Sequence, residues 1–146
     1  MTAATLALDT SALLHRYVET PESSMVLDAM DDSPVWCVSE LARAELLPSL
    51  RRLAMTEFDY ETLWRMASSD WDAFHVVPVD GRCLSVSGEL AVRFGLRMVD
   101  AVHLAAAHRL PEPVRYLTLD HRQIPAAVEL GLEVVTPLDV GAAAAP

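Results

Sequence analysis

Short apolar runs alternate with longer amphipathic segments along most of the chain. Continuous runs predict buried strands, whereas apolar residues spaced three or four positions apart predict helices with one buried face. The predicted strands are residues 5–8, 35–38, 75–79, 115–119 and 133–136. The predicted helices cover approximately residues 12–17, 22–30, 40–53, 59–74, 81–94, 98–110 and 125–130. This alternation predicts an α/β fold in which helices cover both faces of a parallel sheet.

Polar and special residues mark the predicted element ends. The hydroxyls of Thr10 and Ser11 can cap the first helix, and Ser39 can cap the third. Pro48 lies inside the third helix, where it predicts a kink. Gly95 predicts a C-terminal cap on the helix that precedes it. Pro78 predicts that the third strand ends there or lies at a sheet edge.

The length of 146 residues is typical of one domain. A chain of this length buries roughly 70% of its extended surface on folding. We therefore expect a single domain over residues 1–140, built on a central parallel sheet of about five short strands. An Ala-rich segment at residues 141–146 is expected to be a disordered tail.

Composition excludes several classes of protein. Hydrophobic residues make up 52% of the chain and charged residues 22%, which is too apolar for a disordered chain. No apolar stretch reaches the roughly 20 residues that a membrane span needs. The first ten residues lack the basic region of a signal peptide, so we expect a cytoplasmic protein. Cys37 and Cys83 fit no metal or redox spacing and are expected to be buried, reduced thiols.

The basic residues are all Arg, because the chain contains no Lys. A response-regulator receiver and an aspartyl-phosphate phosphatase need a Lys near the reactive Asp, and a P-loop enzyme needs a Gly-Lys pair. The absence of Lys therefore disfavours all three classes.

Four carboxylates are candidates for a site, and a parallel sheet places its ligands beyond the carboxyl ends of its strands. Asp9 and Asp120 follow predicted strands, and Asp100 opens the most apolar helix. Glu45 lies in mid-helix beside the apolar stripe and faces partly inward. Each also has a structural explanation: the aspartates as turn or capping residues, and Glu45 as the partner of Arg52.

Four segments together resemble, in order and spacing, the acidic motifs of PIN-domain ribonucleases, and most closely the VapC-type toxins of bacterial toxin-antitoxin pairs. They are LALDTSALL, SELARAELLPSL, LRMVDAVHLAAA and LTLDHRQIPAAVELG. The resemblance implies a PIN-like three-layer sandwich over residues 5–136. It assigns the family's catalytic and metal-binding acids to Asp9, Glu45, Asp100 and Asp120. Ser11 and Thr118 fall where the family often has a hydroxyl near the site.

The resemblance implies a metal-dependent endoribonuclease that hydrolyses RNA phosphodiester bonds and leaves 5′-phosphate and 3′-hydroxyl ends. Two carboxylates about 4 Å apart repel by about 4 kcal/mol at an effective dielectric of 20, and a bound cation removes this cost. Oxygen ligands suit Mg²⁺ or Mn²⁺. As a hypothesis, Asp9 and Asp100 are the principal ligands, while Glu45 and Asp120 hold a second ion or orient the water. The number of ions stays open.

The net charge of -10 opposes RNA binding, which depends on cations that neutralise phosphates. The nearest candidates in sequence are Arg97 and Arg122. The acidity suits a basic protein partner, and the resemblance implies a cognate antitoxin and a homodimer. The alternative function is a catalytically silent PIN-like module that binds protein or RNA.

Other polar and aromatic side chains are assigned to the interior. His103 lies on the most apolar helix and is expected to be a hydrogen-bonded core residue outside the site. Trp36, Trp64 and Trp71 lie in apolar patterns and are expected in the core or a dimer interface.

Overall fold

The computed structural model describes residues 4–137, in which five strands form one parallel sheet. The strands are β1 (Thr5–Leu8), β2 (Trp36–Ser39), β3 (His75–Val77), β4 (Val114–Leu117) and β5 (Glu133–Val135). Their order across the sheet is β3-β2-β1-β4-β5. β3 ends before Pro78 and lies at an edge, as predicted. Every strand begins and ends within two residues of its predicted bounds.

Helices connect the strands, and the predicted α/β fold is confirmed. They are α1 (Thr10–Leu13), α2 (Ser23–Asp31), α3 (Leu41–Leu53), α4 (Glu57–Trp71), α5 (Gly81–Phe94), α6 (Met98–His108) and α7 (Ile124–Glu129). Turns of 3-10 helix follow α1 at Leu14–Arg16 and precede α7 at His121–Gln123. α3 continues through Pro48 rather than ending there.

The helices form two layers, one on each face of the sheet. Residues of α1 to α4 share one core cluster, and residues of α5 to α7 share another. β1 contributes to both, because Leu6 and Leu8 face the first cluster while Ala7 faces the second. α6 is buried along residues 100–107, as its apolar pattern predicts. The resulting three-layer sandwich positions the carboxyl ends of the strands at one edge.

Two capping predictions are wrong. Asp9 caps α1 in place of Thr10 or Ser11, because its carboxylate accepts a hydrogen bond from the Ala12 N–H at 2.9 Å. Ser39 does not cap α3, whose first flanking residue is Glu40 and has no side-chain cap. The Ser39 hydroxyl instead contacts a buried histidine on α6.

Other local predictions are confirmed. Gly95 ends α5 with φ of 65°, in the left-handed region that glycine adopts without strain. Cys37 and Cys83 are buried and unpaired. Within residues 4–137 no helix has the length and apolar composition that crossing a membrane requires. The expected domain boundary at residue 140 and the tail at 141–146 lie outside the described residues.

Candidate active site

The chain connections bring Asp9 and Asp120 to the same edge of the sheet. β1 and β4 are neighbours in the sheet and pair through Leu8 and Leu117. Asp9 follows β1 directly, whereas Asp120 stands three residues after β4, because β4 ends earlier than predicted. Two acids separated by more than 100 residues in sequence are thus placed beside each other by strand pairing alone.

Asp9 is buried and accepts hydrogen bonds on both carboxylate oxygens. Its exposed fraction is 2%. Oδ1 accepts from the Ala12 N–H at 2.9 Å and from the Ser11 hydroxyl at 3.0 Å. Oδ2 accepts from the Thr118 hydroxyl and from the Gln123 amide, each at 3.0 Å. The two hydroxyls that the family resemblance placed near the site therefore both contact Asp9.

The protonation of Asp9 is set by two opposing effects. Burial raises the pKa of Asp9 above its ordinary value, because the charged carboxylate loses its hydration. Hydrogen bonds from Ala12, Ser11 and Thr118, and the charge of His103, lower it again in part. A cation next to Asp9 would favour the ionised form and relieve the cost of burial.

Asp100 lies in the first turn of the buried helix α6 and shares a donor with Asp9. The Gln123 amide nitrogen is 3.0 Å from Asp9 Oδ2 and 3.2 Å from Asp100 Oδ1. The guanidinium of Arg97 binds both oxygens of Asp100 from the solvent side, at 2.9 and 3.2 Å. Asp100 is buried, whereas the Arg97 side chain is 67% exposed. One partner of Asp100 is thus fixed inside the protein, and the other is exchangeable.

Glu45 is half-buried and joins the site through Thr10 and His103. The Thr10 hydroxyl donates to Glu45 Oε1 at 2.7 Å, and His103 Nε2 lies within hydrogen-bond distance of the same oxygen. Burial raises the pKa of Glu45, but the hydrogen bonds from His103 and Thr10 outweigh this and leave it below the ordinary value. The alternative pairing with Arg52 is wrong, because Arg52 donates to Ser49 instead.

Asp120 is partly buried and paired with Arg122. The guanidinium binds both Asp120 oxygens at 3.0 Å. Partial burial raises the pKa of Asp120, but the hydrogen bonds and charge of Arg122 outweigh it and lower the pKa overall. The Asp120 N–H also donates to the Thr118 hydroxyl at 3.0 Å, and that hydroxyl donates to Asp9. Thr118 therefore links the two aspartates.

His103 is a buried, hydrogen-bonded histidine, as predicted, but it does not lie apart from the candidate site. Its Nε2 contacts Glu45 and Thr10, and its Nδ1 lies 2.9 Å from the Ser39 hydroxyl. The sequence pattern indicated the burial, because α6 is apolar on nearly every face. It gave no indication that the ring faces a carboxylate on α3.

The tryptophans are partly buried and pack against the first core cluster. The Arg43 guanidinium lies 5.8 Å from the Trp64 ring centre and 5.7 Å from that of Trp71. These rings therefore pack beneath a surface arginine instead of standing free to stack on bases.

The donor chemistry of the site fits a hard divalent cation, although the side chains are not already gathered around one point. The donors are carboxylate and hydroxyl oxygens, which Mg²⁺ and Mn²⁺ prefer. Within residues 4–137 no three acidic, histidine or cysteine side chains stand close enough to hold an ion in their present positions. Asp100 and Asp120 are engaged by exposed guanidinium groups, so an ion at either carboxylate would compete with these arginines.

Sequence reasoning missed Gln123 and Thr10, which join the acids. Gln123 is 1% exposed, and its amide oxygen accepts from the Tyr116 hydroxyl at 2.6 Å. The only signal in the sequence was position: Thr10 follows Asp9, and Gln123 lies three residues after Asp120. Partners across the fold cannot be deduced from that spacing.

Comparisons with known proteins agree with the geometry. The sequence matches the family model described as PIN domain over residues 6–136. It is 35% identical over 135 residues to Ribonuclease VapC46 of Mycobacterium tuberculosis, covering 92% of this chain and 98% of that protein.

Solved structures share the fold. FitAcB from Neisseria gonorrhoeae superposes with a TM-score of 0.70 at 20% identity, covering 91% of this chain and 97% of that chain. A toxin-antitoxin complex from Klebsiella pneumoniae gives 0.66 at 21% identity, covering 94% and 99%. At these identities the structural likeness establishes the architecture alone.

Proposed function

This chain belongs to the PIN domain family, and from that premise we propose that it is a VapC-type endoribonuclease, the toxin of a toxin-antitoxin pair. One observation carries the proposal. Asp9, which follows β1, and Asp100, in the first turn of α6, share a single amide donor at the carboxyl edge of the sheet. Thr118 links Asp120 to Asp9. Thr10, the residue after Asp9, donates to Glu45. The reaction is hydrolysis of RNA phosphodiester bonds, in the cytoplasm.

The four carboxylates would hold the divalent ion that we propose for the hydrolysis of RNA. Asp9 and Asp100 are the principal ligands, and Glu45 and Asp120 complete the site or orient the attacking water. A bound Mg²⁺ or Mn²⁺ supplies a water of lowered pKa and stabilises negative charge on the attacked phosphate. Such an ion would also offset the cost of burying the charged Asp9 carboxylate, whose pKa burial raises.

The chain's own residues prepare the site. Ser11, Thr118 and the Ala12 N–H hold the Asp9 carboxylate in one orientation. His103 and Thr10 bind Glu45 through Oε1, and within residues 4–137 every partner of this carboxylate lies on that oxygen. Among the described residues no hydrogen bond reaches the other oxygen of Glu45, which can accept from a water or an ion.

Arg97 and Arg122 supply the positive charge that RNA needs on a chain of net charge -10. Both side chains are more than half exposed and bind their aspartates through bidentate contacts. Two oxygens of a phosphate group can accept the same pair of hydrogen bonds from a guanidinium. Once released from Asp100 and Asp120, the guanidinium groups of Arg97 and Arg122 would be available to the phosphates of the substrate.

The strongly acidic surface also fits a basic protein partner. Structural neighbours include a toxin-antitoxin complex from Klebsiella pneumoniae and VapBC2 from Rickettsia felis. We propose a cognate antitoxin that places a basic side chain against these carboxylates, and a homodimer as the toxin's own assembly. Opposite charge on the two partners would speed association and make it sensitive to salt.

The test is cleavage of total bacterial RNA by purified, antitoxin-free protein with Mg²⁺ or Mn²⁺, compared with EDTA. Asp9→Asn should reduce cleavage by at least about 100-fold, because even residues that only support a metal ligand cost 10- to 100-fold. Asp28→Asn, an exposed carboxylate on α2, is the matched control and should cleave like wild type. Mapping the ends should show 5′-phosphates.

Two outcomes contradict the proposal. Near-normal cleavage by Asp9→Asn would place the site elsewhere. No cleavage by folded wild-type protein, together with no ion binding, would assign the chain to the alternative function of a silent protein- or RNA-binding module.

A further inference from the structure

Gln123 lies between the two carboxylates that are most deeply buried in the site. It belongs to the 3-10 turn that precedes α7, and its exposed fraction is 1%. The two hydrogens of its amide nitrogen serve different acids, Asp9 on one side and Asp100 on the other. Because one nitrogen binds both acids, the distance from Asp9 Oδ2 to Asp100 Oδ1 cannot exceed the sum of the two hydrogen-bond lengths.

The direction of the amide follows from the chemistry of its neighbours. Asp100 is ion-paired with Arg97, and an ionised carboxylate only accepts hydrogen bonds, so the nitrogen of Gln123 must face Asp100. On the opposite side the Tyr116 hydroxyl donates to the amide oxygen at 2.6 Å. Burial raises the pKa of Tyr116 well above its ordinary value, so the hydroxyl keeps the proton that it donates. Tyr116 lies on β4 and is fully buried, which anchors the amide to the sheet.

Gln123 differs from the other donors to Asp100 in charge and in mobility. Arg97 is a cation on an exposed side chain, so it competes with a metal ion and can leave. Gln123 is neutral, so it does not compete with a metal ion as a cation would. Its side chain is also enclosed, so its amide is not exposed to solvent. It can therefore keep the Asp9 and Asp100 carboxylates at the same spacing before and after an ion binds.

We propose that Gln123 is a positioning residue that spaces Asp9 and Asp100 for divalent-ion binding, with Tyr116 as its anchor. This inference rests on the proposed function, because it gives Gln123 a role in the same site. The residue acts through the carboxylates and does not itself touch the RNA. Removing its amide should leave the fold intact and loosen the geometry of the pair.

The sequence provides a direct spectroscopic probe of this role. Gln123 is the only Gln in the chain, and the chain contains no Asn. A nitrogen-15 correlation spectrum of the untagged protein should therefore contain one pair of side-chain amide signals. We expect these two protons to exchange slowly in the ion-free protein and to shift on addition of Mg²⁺. The midpoint of that shift should match the dissociation constant measured by calorimetry.

Substitution separates positioning from the filling of space. Gln123→Met keeps the approximate volume and removes the donors, and should weaken Mn²⁺ binding by about tenfold in calorimetry. Ser87→Ala is the matched control, since Ser87 is also buried and donates one hydrogen bond, to the Cys83 carbonyl on α5. It should lower the melting temperature without changing ion affinity. Tyr116→Phe should give an intermediate loss of affinity.

A second variant keeps the inference testable if Gln123→Met does not fold. Gln123→Glu keeps the shape but adds a carboxylate beside Asp9 and Asp100, where it cannot donate to either. The ion-free protein should melt at a lower temperature than wild type, and Mn²⁺ should raise the melting temperature by more than it does in wild type. An ion-free melting temperature equal to that of wild type would contradict the role, because it would show that Asp9 and Asp100 do not depend on the donors of Gln123.

The failure of this inference differs from the failure of the proposed function. Wild-type protein that binds no divalent ion and cuts no RNA overturns both. A different result overturns the role of Gln123 alone. In that case wild-type protein binds the ion and cuts RNA, its side-chain amide signals do not shift on addition of Mg²⁺, and Gln123→Met binds the ion as tightly as wild type.

Discussion

At the scale of single residues, burial and the hydrogen-bond donors around each carboxylate set the free energy of ionising it in the folded protein. Asp9 is enclosed, and its donors are mainly uncharged, so burial prevails and raises its pKa. Glu45 and Asp120 are more exposed and lie next to His103 and Arg122, so their pKa values fall. The site therefore combines one acid that disfavours its own charge with others that keep theirs.

Glu45→Gln tests the balance at Glu45. The folded-state pKa of Glu45 lies below its ordinary value of 4.5, so the ionised group stabilises the folded state above that pH. The stabilisation is lost as pH falls through the folded-state pKa. We expect ion-free Glu45→Gln to melt below wild type at neutral pH, and the difference to close in strong acid. A difference that is constant with pH would exclude this origin.

Arg97→Ala tests whether the guanidinium competes with the ion. An exposed ion pair is worth about 1 kcal/mol or less. Removing Arg97 frees Asp100, so Mn²⁺ affinity in calorimetry should rise severalfold, whereas the KM for RNA should rise because a phosphate contact is lost. Arg93→Ala is the control, because Arg93 pairs with Glu129 on an exposed surface. Weaker ion binding in Arg97→Ala would contradict the competition.

At the scale of the elements, the pattern of apolar and polar residues was sufficient to predict the strands, the end of α5 and the buried helix α6. The alternation of apolar runs and helical periods predicted every strand, and Gly95 marked the end of α5. α6 was recognisable as a buried helix because nearly all of its faces are apolar. Short-range periodicity reports which face is buried, so elements and layers follow from it.

Hydrogen-bond partners could not be deduced in the same way. Ser39 resembles a helix cap in sequence, yet its hydroxyl contacts His103 on another helix. Gln123 stands in an unremarkable turn, and its amide joins two acids that lie 114 and 23 residues away. Such contacts arise only when separate elements pack, so the motifs indicated the candidate acids and the hydroxyls of Ser11 and Thr118, but not the roles of Thr10 and Gln123.

Asp80 joins two helices of one layer and provides a test at this scale. It caps α5 through the Cys83 N–H at 2.9 Å and pairs with Arg109, directly after α6. The Cys83 hydrogen bond is the main reason that the pKa of Asp80 lies below its ordinary value of 3.8. Asp80→Ala should lower the melting temperature by a few degrees at neutral pH. The difference should vanish as pH falls through the lowered pKa, because the stabilisation requires the ionised form.

At the scale of the whole molecule, the net charge of -10 and the buried charge of Asp9 both destabilise the folded state. A divalent ion that binds only the folded protein should therefore stabilise the entire domain. At an ion concentration about 100 times the dissociation constant, the gain is about 2.7 kcal/mol. Mg²⁺ or Mn²⁺ should raise the melting temperature of wild type, EDTA should reverse the increase, and Asp9→Asn should lack it. An equal increase in Asp9→Asn would indicate nonspecific screening.

The pairing of the first strand with the fourth has a consequence for how the protein is made. Asp9 is translated before Thr118, which follows 109 residues later. At about 5–20 residues per second, the ribosome needs at least about five seconds to supply it. Until then β1 lacks one of its two neighbours, and Asp9 has neither Thr118 nor Gln123. A nascent or prematurely terminated chain that stops before Thr118 therefore carries no assembled site, and for a protein proposed to attack RNA inside its own cell, the hazard begins only after these later residues have been made.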